Sequence, residues 1–225
     1  MKVDLWLARL DKIPEEDGRD LAREELERAD RFVRPELKIK FIKRRSILRK
    51  LLSEYLDIKP NEMVIDYSNL GKPYVANPKT KIFFNISHSK DCVLYGFSRE
   101  AEIGVDIESL NDEIEAELIS NHFFASDEIS LIRNSTGRVK ADAFFRLWCI
   151  KEAYIKLVGK GLTFPLDQVL VKDTMENPRL EVPAISKNQS FQSLSCIYSN
   201  FQPSFGIGVV VRGNHLEIEY KQYKV

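Results

Sequence analysis

The chain has 225 residues, 44% of them hydrophobic and 30% charged, with 34 basic and 34 acidic side chains. That composition excludes a disordered or low-complexity chain and leaves room for one large domain or two small ones. The zero net charge points to no particular partner, but Lys38 to Lys50 hold seven basic residues and no acidic one, and Glu100 to Glu117 hold eight acidic residues and no basic one. Opposite signs gathered in two places suit a ligand that carries both phosphate and metal. Cys92, Cys149 and Cys196 lie in apolar settings without a CxxC spacing, which predicts buried reduced thiols. The stretch "MKVDLWLARLDK" is too charged for a signal peptide, and no apolar run approaches a membrane span. A soluble cytoplasmic protein is expected.

In chain order, "VDLWLA" predicts a strand. "LAREELERADRF" and "PELKIKFIKRRSILRKLLSEYLDI" predict helices, with Pro35 suited to the first turn of the second. Short strands follow over "EMVIDY", "KIFFNIS" and "CVLYGFS", separated by Asn, Gly and Pro turns. The order then restarts. "IGVDIE" is a strand. "IEAELISNHFF", "SDEISLI" and "KADAFFRLWCIKEAYIKLV" are helical, the last ending at Gly159. "QVLVK", "SLSCIYS", "FGIGVVVR" and "LEIEY" are strands, and residues 172–190 are the most loop-like stretch. The expectation is α+β: two similar halves, 1–102 and 103–225, each a small antiparallel sheet with a long helix, packed as a pseudo-dimer.

Several stretches carry chemistry. In "IGVDIES", Ile103, Val105 and Ile107 alternate with Gly104, Asp106 and Glu108, so two acids share one strand face, where like charges repel. Either that face is wet or something positive sits between them. On the helix from Phe41 to Leu56, Phe41, Leu48, Leu52 and Tyr55 share one side at ~100° per residue. Arg45 falls inside that stripe, with Arg49 at its edge and Lys43, Ser46, Lys50 and Glu54 opposite. A buried Arg needs a partner, so Arg45 is either in a structural ion pair or at the wall of an anion pocket; a nucleic-acid helix is a third reading, against which stands the absence of overall positive charge. "NISHS" ends an apolar strand with Ser87, His88 and Ser89, groups able to hold phosphate oxygens or to satisfy a turn. Lys72 and Pro73 lie in "LGKPYV", a rigid turn. Trp148, Glu152 and Lys156 follow at i, i+4 and i+8. Glu152 and Lys156 could form a helix salt bridge or line a pocket. Glu128 falls early in a helix that Ser126 would cap. Asp106, Glu108 and Glu128 would offer three hard oxygen ligands suited to Mg²⁺. His122 and His215 stand alone.

Taken together, "GVDIE", "FFASDE" and "FRLWCIKEAYIKLVGKGL" resemble the successive signatures of the 4′-phosphopantetheinyl transferase superfamily. "GKPYV", "FNISHS" and "RRSILRKLL" match its upstream motifs. The resemblance spans roughly residues 28 to 165, and length places the chain with the two-half, monomeric, surfactin-synthetase-type group. It implies transfer of the phosphopantetheine arm of coenzyme A, the co-substrate, to a serine of an apo acyl or peptidyl carrier protein, with release of 3′,5′-ADP. It implies Mg²⁺, or Mn²⁺ in its place, held by Asp106, Glu108 and Glu128 on the pyrophosphate. Lys156 would contact the pyrophosphate and Glu152 would be the general base. Arg45 and His88 would bind the 3′-phosphate, with Arg44 the adjacent alternative to Arg45. Lys72, Pro73, Ser87 and Ser89 would line the nucleotide, and basic groups near Arg28 and Arg31 would add phosphate contacts. Carrier contacts would fall between Gly161 and about residue 190. The competing readings are a Mg²⁺-dependent hydrolase of a nucleotide pyrophosphate and a non-catalytic binder of coenzyme A or nucleic acid. Neither nucleic acid nor membrane is expected as a partner.

Overall fold

Alternation of apolar residues decides which strands form and where each face goes. The computed structural model describes residues 1–111, 113–161, 164–172, 178–182, 193–201 and 204–224. Strand β1 (Lys2–Arg9) is followed by helices α1 (Arg23–Asp30) and α2 (Pro35–Leu56), then β2 (Val64–Tyr67), β3 (Pro73–Asn77), β4 (Phe83–Ser89) and β5 (Cys92–Ser98). β6 (Ile103–Ser109) opens the second part, with α3 (Ala116–Phe123), α4 (Ser126–Arg133) and α5 (Gly137–Val158) after it. β7 (Leu170–Lys172), β8 (Arg179–Glu181), β9 (Leu194–Phe201), β10 (Phe205–Arg212) and β11 (Glu217–Gln222) complete the described elements. Pro35 opens α2, and Gly159 closes α5 with φ of 75°, a left-handed cap that glycine adopts without a Cβ penalty.

Two sheets carry the architecture. The first runs β11-β1-β5-β4 and the second β6-β10-β9, with β2-β3 and β7-β8 as separate ribbons. α2 covers the outer face of the first sheet, where Ile47, Leu48, Leu51 and Leu52 meet Val93, Tyr95 and Phe97. α5 covers the outer face of the second, where Ile150, Ala153 and Leu157 are fully or almost fully buried. Between the sheets, Val3, Leu5 and Leu7 of β1 and Leu94 of β5 pack with Ile103, Val105 and Ile107 of β6 and Val209 and Val211 of β10. The period of two sends successive side chains of β1, β5 and β6 to opposite layers. All three cysteines are buried free thiols.

The α+β expectation is met, with differences of detail. The two parts share the central core, and β11 returns to pair in parallel with β1, Lys2 opposite Glu217. A boundary at 102 therefore separates β5 from β6 but leaves Glu217–Gln222 in the first sheet, which is not wholly antiparallel. Two short strands were not expected: β3, which pairs with β2, and β8, inside the stretch read as loop. Of residues 161–190, those at 162–163, 173–177 and 183–190 lie outside the described residues. Among the described residues no helix is long and apolar enough to cross a membrane.

Candidate active site

The site forms where an edge of each sheet meets the other. β4 and β6 run side by side without a backbone ladder, and polar side chains of β4 bridge the seam. Asn85 Oδ1 accepts from Val105 N at 2.9 Å, Ser89 Oγ accepts from Ser109 N at 3.0 Å, Ser87 Oγ donates to Asp106 Oδ1 at 2.8 Å, and Ser89 Oγ donates to Glu108 Oε2 at 3.1 Å. "NISHS" is thus a set of bridging groups aimed at "GVDIE". This answers what sits beside the repelling pair. Asp106 is 1% exposed, so the face is not wet. The ammonium of Lys156 pairs with Asp106 Oδ1 at 2.5 Å and donates to Ser87 Oγ at 2.8 Å. Lys156 reaches across to β6 rather than forming the helix pair with Glu152 that its spacing allows.

Gly104 explains the reach. A Cβ at Gly104 would stand 1.9 Å from the carbonyl oxygen of Ala153 and 2.5 Å from Leu157 N, and one at Gly208 would stand 2.3 Å from the carbonyl oxygen of Cys149. The backbone of α5 lies directly on these two glycines. That close approach lets Trp148, Glu152 and Lys156, the less buried stripe of α5, look onto Asp106 and Glu108. Trp148 is braced by Phe144, stacked at 5.8 Å, and by Phe123, edge-on at 5.8 Å.

Electrostatics mark the cluster. The pKa of Glu152 is pushed up to about 7, by burial first and then by the charges of Asp106 and Glu108, against Lys156. Glu108 is raised for the same two reasons, burial and Asp106. The His88 imidazole has an exposed edge, yet its pKa is driven down to about 4, by desolvation first and then by Arg44 and Lys156. An open cleft of about 280 Å³ adjoins the cluster, lined among others by Lys72, Pro73, Asn85, Glu152 and Lys156. It draws walls from both parts of the chain.

Three assignments change in the light of the structure. Glu128 is not brought to Asp106 and Glu108. It is 5% exposed and fully engaged, accepting from Ala125 N at 2.9 Å and Val171 N at 3.0 Å and pairing with Lys151 Nζ at 2.7 Å. Ala125, not Ser126, is the N-cap, and Glu128 closes the cap from the third helical position. Lys151 is wholly buried and also donates to the carbonyls of Leu166 and Val169. Glu152 is the third acid that shares the field of Asp106 and Glu108. Arg45 is likewise spoken for: its Nε donates to Glu25 Oε1 at 2.5 Å, and Arg49 Nε to Glu25 Oε2 at 2.5 Å. Arg45 Nη2 touches the same carboxylate within ion-pair range but without hydrogen-bond alignment. Arg44 is the arginine whose charge bears on His88. Lys72 donates to the carbonyls of Leu157 at 2.8 Å and Ile103 at 3.2 Å, so its charge seals the C-terminal end of α5 while its stem lines the cleft.

Sequence reasoning missed Lys151 and Glu25. The signal for Glu25 was Arg45 inside an apolar stripe, which required an opposite charge somewhere; nothing in the reading of Glu128 called for Lys151. The opposite face of α2 also proved less open than periodicity implied, since Ser46 is fully buried; Arg49, at the edge of the apolar stripe, is 1% exposed.

As to metal, no three His, Cys, Asp or Glu side chains among the described residues converge as a ready metal-holding group. The donor chemistry nevertheless fits a hard divalent cation. Asp106 Oδ2 is buried without a hydrogen-bond partner, and its neighbours in the field are carboxylates, the oxygen donors such a cation prefers.

Comparison with known proteins gives the family. The profile described as "4′-phosphopantetheinyl transferase superfamily" matches residues 102–204, and that described as "4′-phosphopantetheinyl transferase, N-terminal" matches residues 16–97. The 4′-phosphopantetheinyl transferase HetI of Nostoc sp. is 33% identical over 213 residues, covering 91% of this chain and 89% of that protein. The 4′-phosphopantetheinyl transferase Sfp of Bacillus subtilis is 34% identical over 166 residues, 68% of this chain and 72% of its own length. A holo-(acyl-carrier-protein) synthase from Bacillus anthracis, crystallised in complex with CoA (3′,5′-ADP), superposes with a TM-score of 0.41 at 20% identity, covering 50% of this chain and 96% of that one. On the two family profiles and the near full-length likeness to the Nostoc protein, the chain belongs to the 4′-phosphopantetheinyl transferase superfamily.

Proposed function

We propose that this protein transfers the 4′-phosphopantetheine arm of coenzyme A to a serine hydroxyl of an apo acyl or peptidyl carrier protein, releasing 3′,5′-ADP, with Mg²⁺ required and Mn²⁺ able to replace it. The observation that carries the reading is the Asp106–Lys156–Ser87 contact, whose Lys156 lines a cleft between β4 and α5, with a carboxyl of raised pKa, Glu152, on the same wall. Asp106 and Glu108 would hold the cation, with Glu152 facing the same space. When bound, it offsets the charge of the diphosphate where that charge grows during transfer.

The chain's own groups supply the rest. Lys156 has three N–H donors, and Asp106 and Ser87 engage two. The third is available to a phosphoryl oxygen. Glu152, with a pKa of about 7, is matched to taking the proton of the incoming hydroxyl near neutral pH. Asn85, Ser87 and Ser89 hold the β4–β6 seam in register, so that Asp106 and Glu108 present their carboxylates with little freedom.

The basic run of α2 supports an anion site and speaks against a nucleic-acid surface. Lys38 pairs with Asp30, Lys40 with Asp91, Lys50 with Glu16 and Asp20, and Arg45 and Arg49 with Glu25. Lys43 donates to the carbonyls of Leu10 and Ile13. Among the described residues, Lys43 and Arg44 are the members of the run that no carboxylate pairs, and of the two only the Arg44 side chain is left without a carbonyl partner as well; its charge bears on His88. The 3′-phosphate of coenzyme A is the proposed occupant, held by Arg44 and His88 with Arg28 nearby.

The test is incubation with coenzyme A, Mg²⁺ and a panel of apo carrier proteins, read by mass spectrometry. The expected result is a mass gain of one phosphopantetheine arm on at least one carrier. Cleavage of coenzyme A at the pyrophosphate with no carrier modified would replace this reading with a hydrolase.

A further inference from the structure

α1 is eight residues long, too short to persist by itself in water. Its place is therefore set by what it touches. Four contacts hold it and the residues just after it to α2: the ring of Phe32 lies 5.4 Å from that of Phe41, the Arg28 guanidinium sits 5.5 Å over the Phe41 ring, Lys38 pairs with Asp30 at the exposed end, and Glu25 pairs with both Arg45 and Arg49. Of these, only the last is charged on both sides and shielded from water. Glu25 is 8% exposed, Arg45 7% and Arg49 1%. Glu25 also closes the N-terminus of α1, accepting from Ala22 N at 3.0 Å. One carboxylate thus fixes the start of α1 and its distance from α2. Arg49 is itself fixed from the other side, donating to the carbonyls of Pro60 at 2.6 Å and Met63 at 3.1 Å, so it gives Glu25 a rigid anchor.

What α1 carries is positive. Arg28 lies three residues, about one helical turn, after Glu25, and Arg31 three further on; Glu25 is buried, whereas both arginines are exposed. Arg28 and Arg31 line a cavity of about 490 Å³ with Glu24 and Phe32. Arg28 sits over Phe41, three residues and about one turn before Arg44 on α2, and the charges of Arg28 on Arg44 and of Arg44 on His88 act against protonation. Cations gathered this way repel one another, with Glu24 the acid on the cavity wall, so they stay together only if the helix that carries them is held in place. Glu25 holds it from behind, through residues that do not face the cleft.

We propose that Glu25, acting through Arg45 and Arg49, is a positioning residue: by docking α1 on α2 it brings Arg28 to Arg44 and His88, and so sets the preference for coenzyme A over 3′-dephospho-coenzyme A. This rests on the anion site proposed above and adds the residue that assembles it. It also gives Arg45 a role in recognition without contact with the ligand. Arg45 would be needed for phosphate selectivity because it holds Glu25.

The experiment is calorimetric binding of coenzyme A and of 3′-dephospho-coenzyme A to the full chain, comparing wild type with Glu25→Gln, Arg45→Lys and Arg44→Ala. Wild type is expected to favour coenzyme A. Glu25→Gln and Arg45→Lys are each expected to shrink that preference about tenfold, the worth of a charged hydrogen bond, with affinity for the dephospho form little changed. Circular dichroism establishes that each variant is folded. Arg45→Lys retains the buried charge, so it carries the test if Glu25→Gln does not fold. A wild-type ratio in folded Glu25→Gln or Arg45→Lys, with the ratio lost in Arg44→Ala, overturns the positioning role and leaves the anion site standing. Equal binding of both ligands by wild type, unaffected by Arg44→Ala, overturns the anion site and this inference together. No binding of either ligand overturns the proposed function.

Discussion

Replacing Glu128 separates a structural carboxylate from a metal ligand. In Glu128→Ala the Lys151 ammonium stays wholly buried with two carbonyls, Leu166 and Val169, and no counter-charge. Breaking one side of a buried ion pair costs about 3–5 kcal/mol, because the remaining charge cannot rehydrate. The amides of Ala125 and Val171 also lose their acceptor, at about 1–3 kcal/mol each if they stay buried, though relaxation at a helix end recovers part of this. The ion pair alone sets a loss of about 4 kcal/mol, and whatever the two amides do not recover adds to it. At roughly 2–4 °C per kcal/mol for a chain of this size, the melting temperature should fall by roughly 10–15 °C. The assay is thermal and urea unfolding of wild type, Glu128→Ala, Lys151→Met and the double variant. Removing both charges should cost less than the sum of the single changes, with a coupling of about 2 kcal/mol or more. Below the transition, the folded Glu128→Ala protein should bind Mg²⁺ together with coenzyme A as wild type does. Unchanged stability combined with lost Mg²⁺ affinity would refute the reasoning and return Glu128 to the metal.

Asp106→Ala should abolish transfer with the fold intact by circular dichroism; retained Mg²⁺-dependent activity counts against the assignment. Lys156→Ala should impair transfer more than stability, since Lys156 is only half-buried, and wild-type turnover would contradict its role. Without divalent cations, Glu152 should make the fold less stable as pH rises. Its folded pKa, about 7, lies above the ordinary 4.5, so the folded state holds the proton more tightly, and that advantage is lost between about pH 5 and 8. His88, lowered from 6.5 to about 4, acts in the opposite sense, losing stability as pH falls through that range. The measurement is therefore the difference in melting temperature between wild type and Glu152→Gln against pH. A flat difference refutes the shift, and added Mg²⁺ should flatten it. Gly104→Ala should destabilise by at least about 1–3 kcal/mol, because its Cβ would meet the α5 backbone rather than a yielding side chain. A wild-type melting temperature in that variant would show that α5 can move away freely.

Much of the architecture was readable from local pattern. The period-two runs "VDLWLA", "IGVDIE" and "FGIGVVVR" became β1, β6 and β10, and the helices opened by Pro35 and closed by Gly159 end where capping chemistry says they should. Such features depend on neighbours along the chain. The short ribbon strands β3 and β8 were not, since two or three backbone bonds to a partner, rather than their own composition, make them strands.

Adjacency in sequence paired Asp106 with Glu108 and Glu152 with Lys156, while joining the two pairs rested on the family resemblance. Partner choice could not be read the same way. Whether Lys156 meets Glu152 or Asp106, whether Glu128 meets a cation or Lys151, and which of Arg44 and Arg45 faces His88 depend on how α5 lies on Gly104 and Gly208 and how α1 lies on α2. A charge one turn away on the same helix is always on offer. A charge from another element wins when packing buries both and excludes water, and only the folded chain decides which pairs those are.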